Sequence, residues 1–326
     1  MTAGDRLANA GLERLDDRPT AAAEGSVLCF GCVRHEALRM PHFLDYHRAL
    51  GVERFYIVDN GSSDGTTALL LAQPDIHLFA AAGSYAASLC GVHWLNALLA
   101  TFAHGHWALT LDADELLVYP HCETVALPGL VDRLEREGAD ALSGFMLDMY
   151  DSGPIRAARY RAGTPFLAAC RHFDADTYQR HANFGLPVRG GPRHRLFWEG
   201  RDRPNPSPVL SKIPLVRWRD GLQYEASTHR VGGGIALSDA SCVLLHFKLF
   251  SDFVESVAQE AMRKEHWDSA AQYAAYAEVL CEQPDLSAGF PGSMSYEDSR
   301  QLIALGLMRD TSGRPPQANG DTPCGS

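Results

Sequence analysis

Residues 107–120 read WALTLDADELLVYP. Trp107–Leu111 is a short apolar run with the character of a strand, and it passes directly into Asp112-Ala113-Asp114-Glu115. A strand buried on both faces cannot hold three carboxylates without partners, so the strand ends where the charge begins. Side chains alternate along an extended chain, which places Asp112 and Asp114 on one side and Ala113 on the other. Two carboxylates facing one way are hard oxygen donors suited to a divalent cation. An acidic loop capping the next element would carry the same letters, and the flanking sequence has to decide between the two.

Upstream, Val27–Val33 (VLCFGCV) is a continuous apolar run of the kind found in central parallel strands. Met40–Leu50 has helical spacing, with Pro41 near its first turn and Gly51 as its stop. Phe55–Asp59 is a second strand, Asn60–Gly65 a dense turn, Thr66–Ala72 a helix and Ile76–Phe79 a third strand. A helix is expected over Ala86–Ala103 before the chain enters Trp107–Leu111. This alternation predicts an α/β fold, Rossmann-like, with a mostly parallel central sheet and C-terminal helices. In such sheets ligands sit beyond the carboxyl ends of the strands. The polar residues fall at those ends: Arg34-His35-Glu36 after the first strand, Asp59-Asn60 after the second, and Asp112-Ala113-Asp114 after the strand that follows the long helix.

Downstream, Pro128–Glu137 reads as a helix and Ala141–Tyr150 as a strand with Asp148 and Asp151 at its end. Residues 151–210 are rich in Arg and Pro and read as irregular segments with short strands, in the manner of a lid or acceptor-binding region. Lys212–Trp218 and Val243–Leu249 are strand-like and are separated by a polar loop containing His229. Asp252–Cys281 is the strongest helical pattern, opened by Asp252-x-x-Glu255 as a capping box and broken near His266. Its alanines and aromatics predict packing against the sheet rather than chemistry.

The 29 Lys+Arg against 40 Asp+Glu give a net charge of −11, which excludes nonspecific nucleic-acid binding and leaves an anionic ligand in need of a metal or a local cation. Of eight cysteines only Cys29 and Cys32 are close, without a second pair at zinc-ligand spacing, so buried reduced thiols and a cytoplasmic setting are expected. There is no apolar run of eighteen residues. No transmembrane span is therefore expected, and peripheral association with the inner face of a membrane stays open.

Taken together, DNGSSDGT and LDADE make the chain resemble the GT-A glycosyltransferases, and among them the family-two-like bacterial enzymes. Val33-Arg34-His35-Glu36 is similar to their V-R-N-E first loop, with His35 in place of Asn. Tyr46–Val52 matches their Y-H-x-x-L-G-V segment, Val58–Thr66 their V-D-D/N-x-S-x-D-G-T turn, with Asn60 where many relatives carry Asp, and Asp112–Leu116 their D-x-D-E-F/L motif. The resemblance covers roughly residues 26–281. It implies a 26–250 catalytic domain, made of a nucleotide-binding half (26–120) and an acceptor-side half (121–250). Residues 251–309 would form a helical appendage, with a flexible leader (1–25) before and a disordered tail (310–326) after.

The resemblance also implies transfer of a sugar from a nucleotide-diphospho-sugar to a glycan, lipid-linked or protein acceptor, with inversion and with Mn²⁺ or Mg²⁺. Val33, Arg34, Glu36, Asp59, Asn60 and Asp112 would lie at the nucleotide, and Asp112, Asp114 and His246 at the metal, with His229 behind His246. Lys212, Arg193 or Arg195 would hold phosphate oxygens. For the base that takes the acceptor proton, Asp148 comes first, then Asp151 and Glu199. Two other functions compete. A sugar-phosphate nucleotidyltransferase of similar fold would ordinarily carry a Gly-rich phosphate loop after the first strand, where Cys29–Glu36 has one Gly. A non-catalytic glycan- or nucleotide-binding member would tolerate loss of the metal carboxylates, and this chain keeps both.

Overall fold

The computed structural model describes residues 2–180, 187–225 and 227–312. In chain order the strands are β1 (Leu12–Arg14), β2 (Val27–Val33), β3 (Arg54–Asp59), β4 (Ile76–Ala81), β5 (Trp107–Thr110), β6 (Glu115–Val118), β7 (Ala141–Asp148), β8 (His172–Asp174), β9 (Tyr178–Arg180), β10 (Pro187–Gly190), β11 (Ser211–Arg217), β12 (Gln223–Tyr224), β13 (Val231–Gly232), β14 (Leu237–His246) and β15 (Ser293–Ser295). The helices are α1 (Ala3–Asn9), α2 (Met40–Leu50), α3 (Thr66–Leu71), α4 (Val92–Phe102), α5 (Leu127–Arg136), α6 (Gly191–Phe197), α7 (Phe253–Arg263), α8 (Trp267–Glu282) and α9 (Ser299–Ala304).

Nine strands form one sheet in the order β1-β4-β3-β2-β5-β11-β7-β14-β6. β2, β3, β4 and β5 pair in parallel, β11 runs against both β5 and β7, and β14 lies parallel to β7. Six strands therefore share one direction, with β1, β11 and β6 opposed. This is the expected α/β, Rossmann-like architecture. Its central strands are buried along nearly their whole length, with only Cys32 on β2 and Arg54 on β3 half-buried, as unbroken apolar runs such as Val27–Val33 require. Two apolar layers cover the two faces, one including Phe43, Leu44, Leu109 and Leu117, the other Phe30, Tyr56, Leu98 and Trp218.

The β5–β6 connection positions the site. β5 is fifth in the sheet and β6 ninth, yet only residues 111–114 join them. This short turn carries its carboxylates across the ends of β11, β7 and β14 instead of extending the strand.

Several expectations change. Residues 3–14, expected in a flexible leader, form α1 and the edge strand β1, which pairs antiparallel with β4 and buries Leu12. The helix expected from Ala86 starts at Val92, because Leu89, Cys90 and Gly91 are all left-handed and no right-handed helix passes through them. The capping box at Asp252 is absent: its carboxylate takes the Arg39 guanidinium at 2.8 and 3.0 Å instead. Lys264, at a φ of 56°, ends α7 and splits the helical segment. Of the tail expected to be disordered, Asp310 is bonded to His121 at 2.9 Å, and residues 313–326 lie outside the described residues. Leu302, Leu307 and Met308 are part of the main core.

Candidate active site

A cavity of about 860 Å³ opens beyond the carboxyl ends of the parallel strands. The segment after β2 contributes Arg34 and Glu36, the one after β3 contributes Asn60, and the β5–β6 turn contributes Asp112 and Asp114. Lys212 comes from β11, His246 from the end of β14, and Gln259, Arg263, Tyr273 and Tyr276 from α7 and α8. The helical pair expected to do nothing but pack thus walls the cavity.

Asp114 is the cavity end of a polar chain that runs inward through His246. Its Oδ2 lies 3.3 Å from His246 Nε2, and its own backbone carbonyl accepts from the Phe247 N–H at 2.8 Å. On the far side of the ring, His246 Nδ1 meets Asp148 Oδ1 at 2.6 Å. Asp148 Oδ2 accepts from Arg193 Nε at 2.8 Å. The pairing register makes this possible, since His246 stands opposite Glu115 on β6 and Asp148 on β7. Burial opposes the charge of Asp114, but the adjacent His246 holds its carboxyl well below the usual carboxylate range. Asp148 is held low against burial by Arg193 and His246. His246 is raised despite its burial, chiefly by Asp114.

Asp112 is held differently. Its side chain is 59% exposed, and Lys212 Nζ donates to it at 2.8 Å and to the fully buried Glu115 at 2.6 Å. Glu115 also accepts the Asp112 N–H at 3.1 Å, which braces the turn. Burial works against the Lys212 ammonium, and the two carboxylates outweigh it.

The remaining candidate residues divide into those that reach the cavity and those that do not. Val33, Arg34, Glu36 and Asn60 line it. Arg34 donates to the Asn60 carbonyl, and the Asn60 side chain accepts from Arg263 at 3.0 Å while donating to Ala81 and Gly83 carbonyls at 2.9 and 3.0 Å. Asp59 does not reach it, because its carboxylate accepts from the Ser62 N–H and the Thr67 hydroxyl and so folds the turn. Asp148 does not face it either: it is consumed by His246 and Arg193, which is the wrong place for a base that must meet an acceptor. Asp151 accepts from the Gly153 N–H outside the cavity, and Glu199 is exposed beyond α6. Arg193 lines the cavity but is tied to Asp148, and Arg195 lies elsewhere, on Asp174 at 3.0 Å.

His229 sits on the cavity wall with Nδ1 against the Ser211 carbonyl. A carbonyl only accepts, so Nδ1 carries the proton and Nε2 keeps its lone pair. Burial lowers its pKa, which favours the neutral imidazole. Two cavity residues gave no functional cue in the sequence. Lys248 follows His246 by two, a spacing that places both on one side of an extended chain, and its Nζ donates to the Tyr273 hydroxyl at 3.2 Å. Arg189, on β10, lines the cavity as well.

The donor set fits a hard divalent cation shared with a substrate. Asp114 Oδ2 and His246 Nε2 converge at one edge, with Asp148 orienting the ring through its other nitrogen as outer partners of ligating histidines do. Among the described residues no group of three or more His, Cys, Asp or Glu is arranged to hold a metal alone. Two protein donors suit an ion that takes its other ligands from phosphate oxygens and water. Among the described residues no helix is long and apolar enough to cross a membrane.

No family model and no curated protein matches the chain. Among solved structures, the crystal structure of 4-diphosphocytidyl-2C-methyl-D-erythritol synthase is similar at 13% identity, over 88% of this chain and 99% of that chain, with a TM-score of 0.28. A likeness so loose carries no argument about the reaction.

Proposed function

We propose that the protein is a metal-dependent GT-A glycosyltransferase that moves a sugar from a nucleotide-diphospho-sugar to an acceptor hydroxyl. The observation that carries this reading is the Asp114–His246 edge, 3.3 Å across, set in a cavity of about 860 Å³ that the ends of β2 and β3 and the helices α7 and α8 also line. That volume suits a nucleotide-sugar, since small-molecule sites span roughly 300–1,000 Å³.

In the reaction the bond from the sugar's anomeric carbon to the phosphate oxygen breaks, and its electron pair leaves with the nucleoside diphosphate. A new bond forms from the acceptor oxygen to that carbon, and the hydroxyl proton passes to a base. Bound Mn²⁺ or Mg²⁺ supplies neutralisation of the charge that builds on the leaving diphosphate. Asp114 and His246 would hold the ion, and Asp148 fixes the ring of His246. Lys212 and Glu115 set the angle of Asp112. His229 takes the base role in place of Asp148, Asp151 and Glu199, because it presents a neutral imidazole with a free lone pair to the cavity.

A thermal-shift screen against UDP-, GDP- and dTDP-sugars tests the reading. Stabilisation by one nucleotide class in Mn²⁺ that vanishes in EDTA is expected, and no stabilisation by any of them would reject it. With the donor found, His229→Gln should leave its affinity unchanged and lower transfer by about 10²-fold or more.

A further inference from the structure

The cations around the cavity are not equivalent. Arg39 is paired with Asp252, Arg193 with Asp148, Lys212 with Asp112 and Glu115, and Arg263 with Glu260. Arg34 and Arg189 donate to the backbone carbonyls of Asn60 and Ser207. Lys248 differs from all of them. Its ammonium donates to the neutral Tyr273 hydroxyl at 3.2 Å and lies 5.3 Å from the centre of that ring, and no carboxylate of the described residues comes within 4.0 Å of it. Among the described residues the Tyr273 hydroxyl meets one of the ammonium's three N–H donors and no carboxylate bonds to it, so the other donors are open to an anion in the cavity. The cavity it faces is the one that holds Asp114 and His246, and Lys248 leaves β14 two residues after His246.

We infer that Lys248 binds the terminal phosphate of the nucleoside diphosphate, beside the edge formed by Asp114 and His246. This rests on the glycosyltransferase reading and names the residue that receives the leaving group. A lysine suits that place because it offers a compact charge to a phosphate whose orientation the ion already sets. Tyr273 steadies the ammonium until the phosphate replaces solvent beside it. The assignment distinguishes diphosphate from monophosphate: a nucleoside monophosphate lacks the group that Lys248 holds.

The test measures binding of UDP, UMP, GDP, GMP and inorganic pyrophosphate in Mn²⁺ to the wild-type protein, Lys248→Met and Lys248→Arg, with a melting curve for each. Lys248→Met is expected to weaken the diphosphate that binds, and pyrophosphate, by about ten-fold or more while the matching monophosphate is unchanged, and Lys248→Arg to restore part of the loss. Equal diphosphate affinity in Lys248→Met and wild type overturns the assignment and leaves the glycosyltransferase reading intact. An equal loss for mono- and diphosphate also overturns it, and marks Lys248 as packing for Tyr273. Should Lys248→Met not fold, Lys248→Gln, which keeps a donor for Tyr273, takes its place, and failure of both to fold makes Lys248 a structural cation. If the wild-type protein binds none of these ligands, both readings fall together.

Discussion

At the residue scale, the buried chain Asp114–His246–Asp148–Arg193 decides which carboxylate does what. Asp148 closes a strand at the site's end of the sheet, which is why its position in the sequence suggests a base. The register shows its other duty: both of its oxygens are spent, one on His246 and one on Arg193. Asp148→Asn should therefore weaken metal-dependent nucleotide binding and lower stability by roughly 3 kcal/mol, because Arg193 stays buried without a counter-charge. Calorimetry with melting curves checks this. A catalytic base would behave otherwise, with normal donor binding, normal stability and lost transfer. Glu36 gives a second residue-level prediction. Burial pushes its carboxyl up to about 7 against the pull of Arg39, from an ordinary value of 4.5. The fold thus favours the protonated form, so this group's contribution is fully present below about pH 4.5 and is lost as pH rises through about 7. In metal-free buffer, Glu36→Gln should gain on the wild type across that window by on the order of 1–3 kcal/mol, read as a growing difference in melting temperature.

At the element scale, the first half of the sheet was legible because its signals are local. Apolar runs bounded by turn residues mark β2, β3 and β5, and Pro41 with Gly51 brackets α2 at the residues found. The convergence of Arg34, Glu36, Asn60, Asp112 and Asp114 followed from where those strands end. What the letters did not disclose is long-range pairing. Nothing in residues 3–14 announces that they cover the β4 edge, and nothing in Asp252 tells a helix cap from a partner for Arg39, 213 positions away. The burial of Asp148 was hidden for the same reason, since it depends on Arg193 and His246, which are distant in sequence. The α7–α8 pair shows this most clearly. Its apolar residues do pack, around Phe197 and Tyr276, while its polar ones reach over the strand ends. Arg39–Asp252 and Arg263–Asn60 clasp it to the segments that follow β2 and β3. Asp252→Ala should loosen that clasp, seen as faster amide exchange across 253–263 and weaker nucleotide affinity with the sheet amides unchanged. Uniformly faster exchange would mean that the pair carries global stability instead.

For the whole molecule, a chain of net charge −11 has to concentrate positive charge locally to hold a diphosphate. Its acidic surface repels nucleotides, and most cations at the cavity are already neutralised by carboxylates, so nucleotide binding without a metal should be weak. On the proposed reading, metal dependence follows from the entire charge arrangement, with Asp114 and His246 as its point of action. The most direct measurement is calorimetric titration of the wild-type protein and Asp114→Asn with UDP and GDP, each in Mn²⁺ and in EDTA. The account predicts clear binding of one nucleotide to the wild type in Mn²⁺, and near loss of it both in EDTA and in the folded Asp114→Asn protein. Equal affinity in Mn²⁺ and EDTA would contradict it.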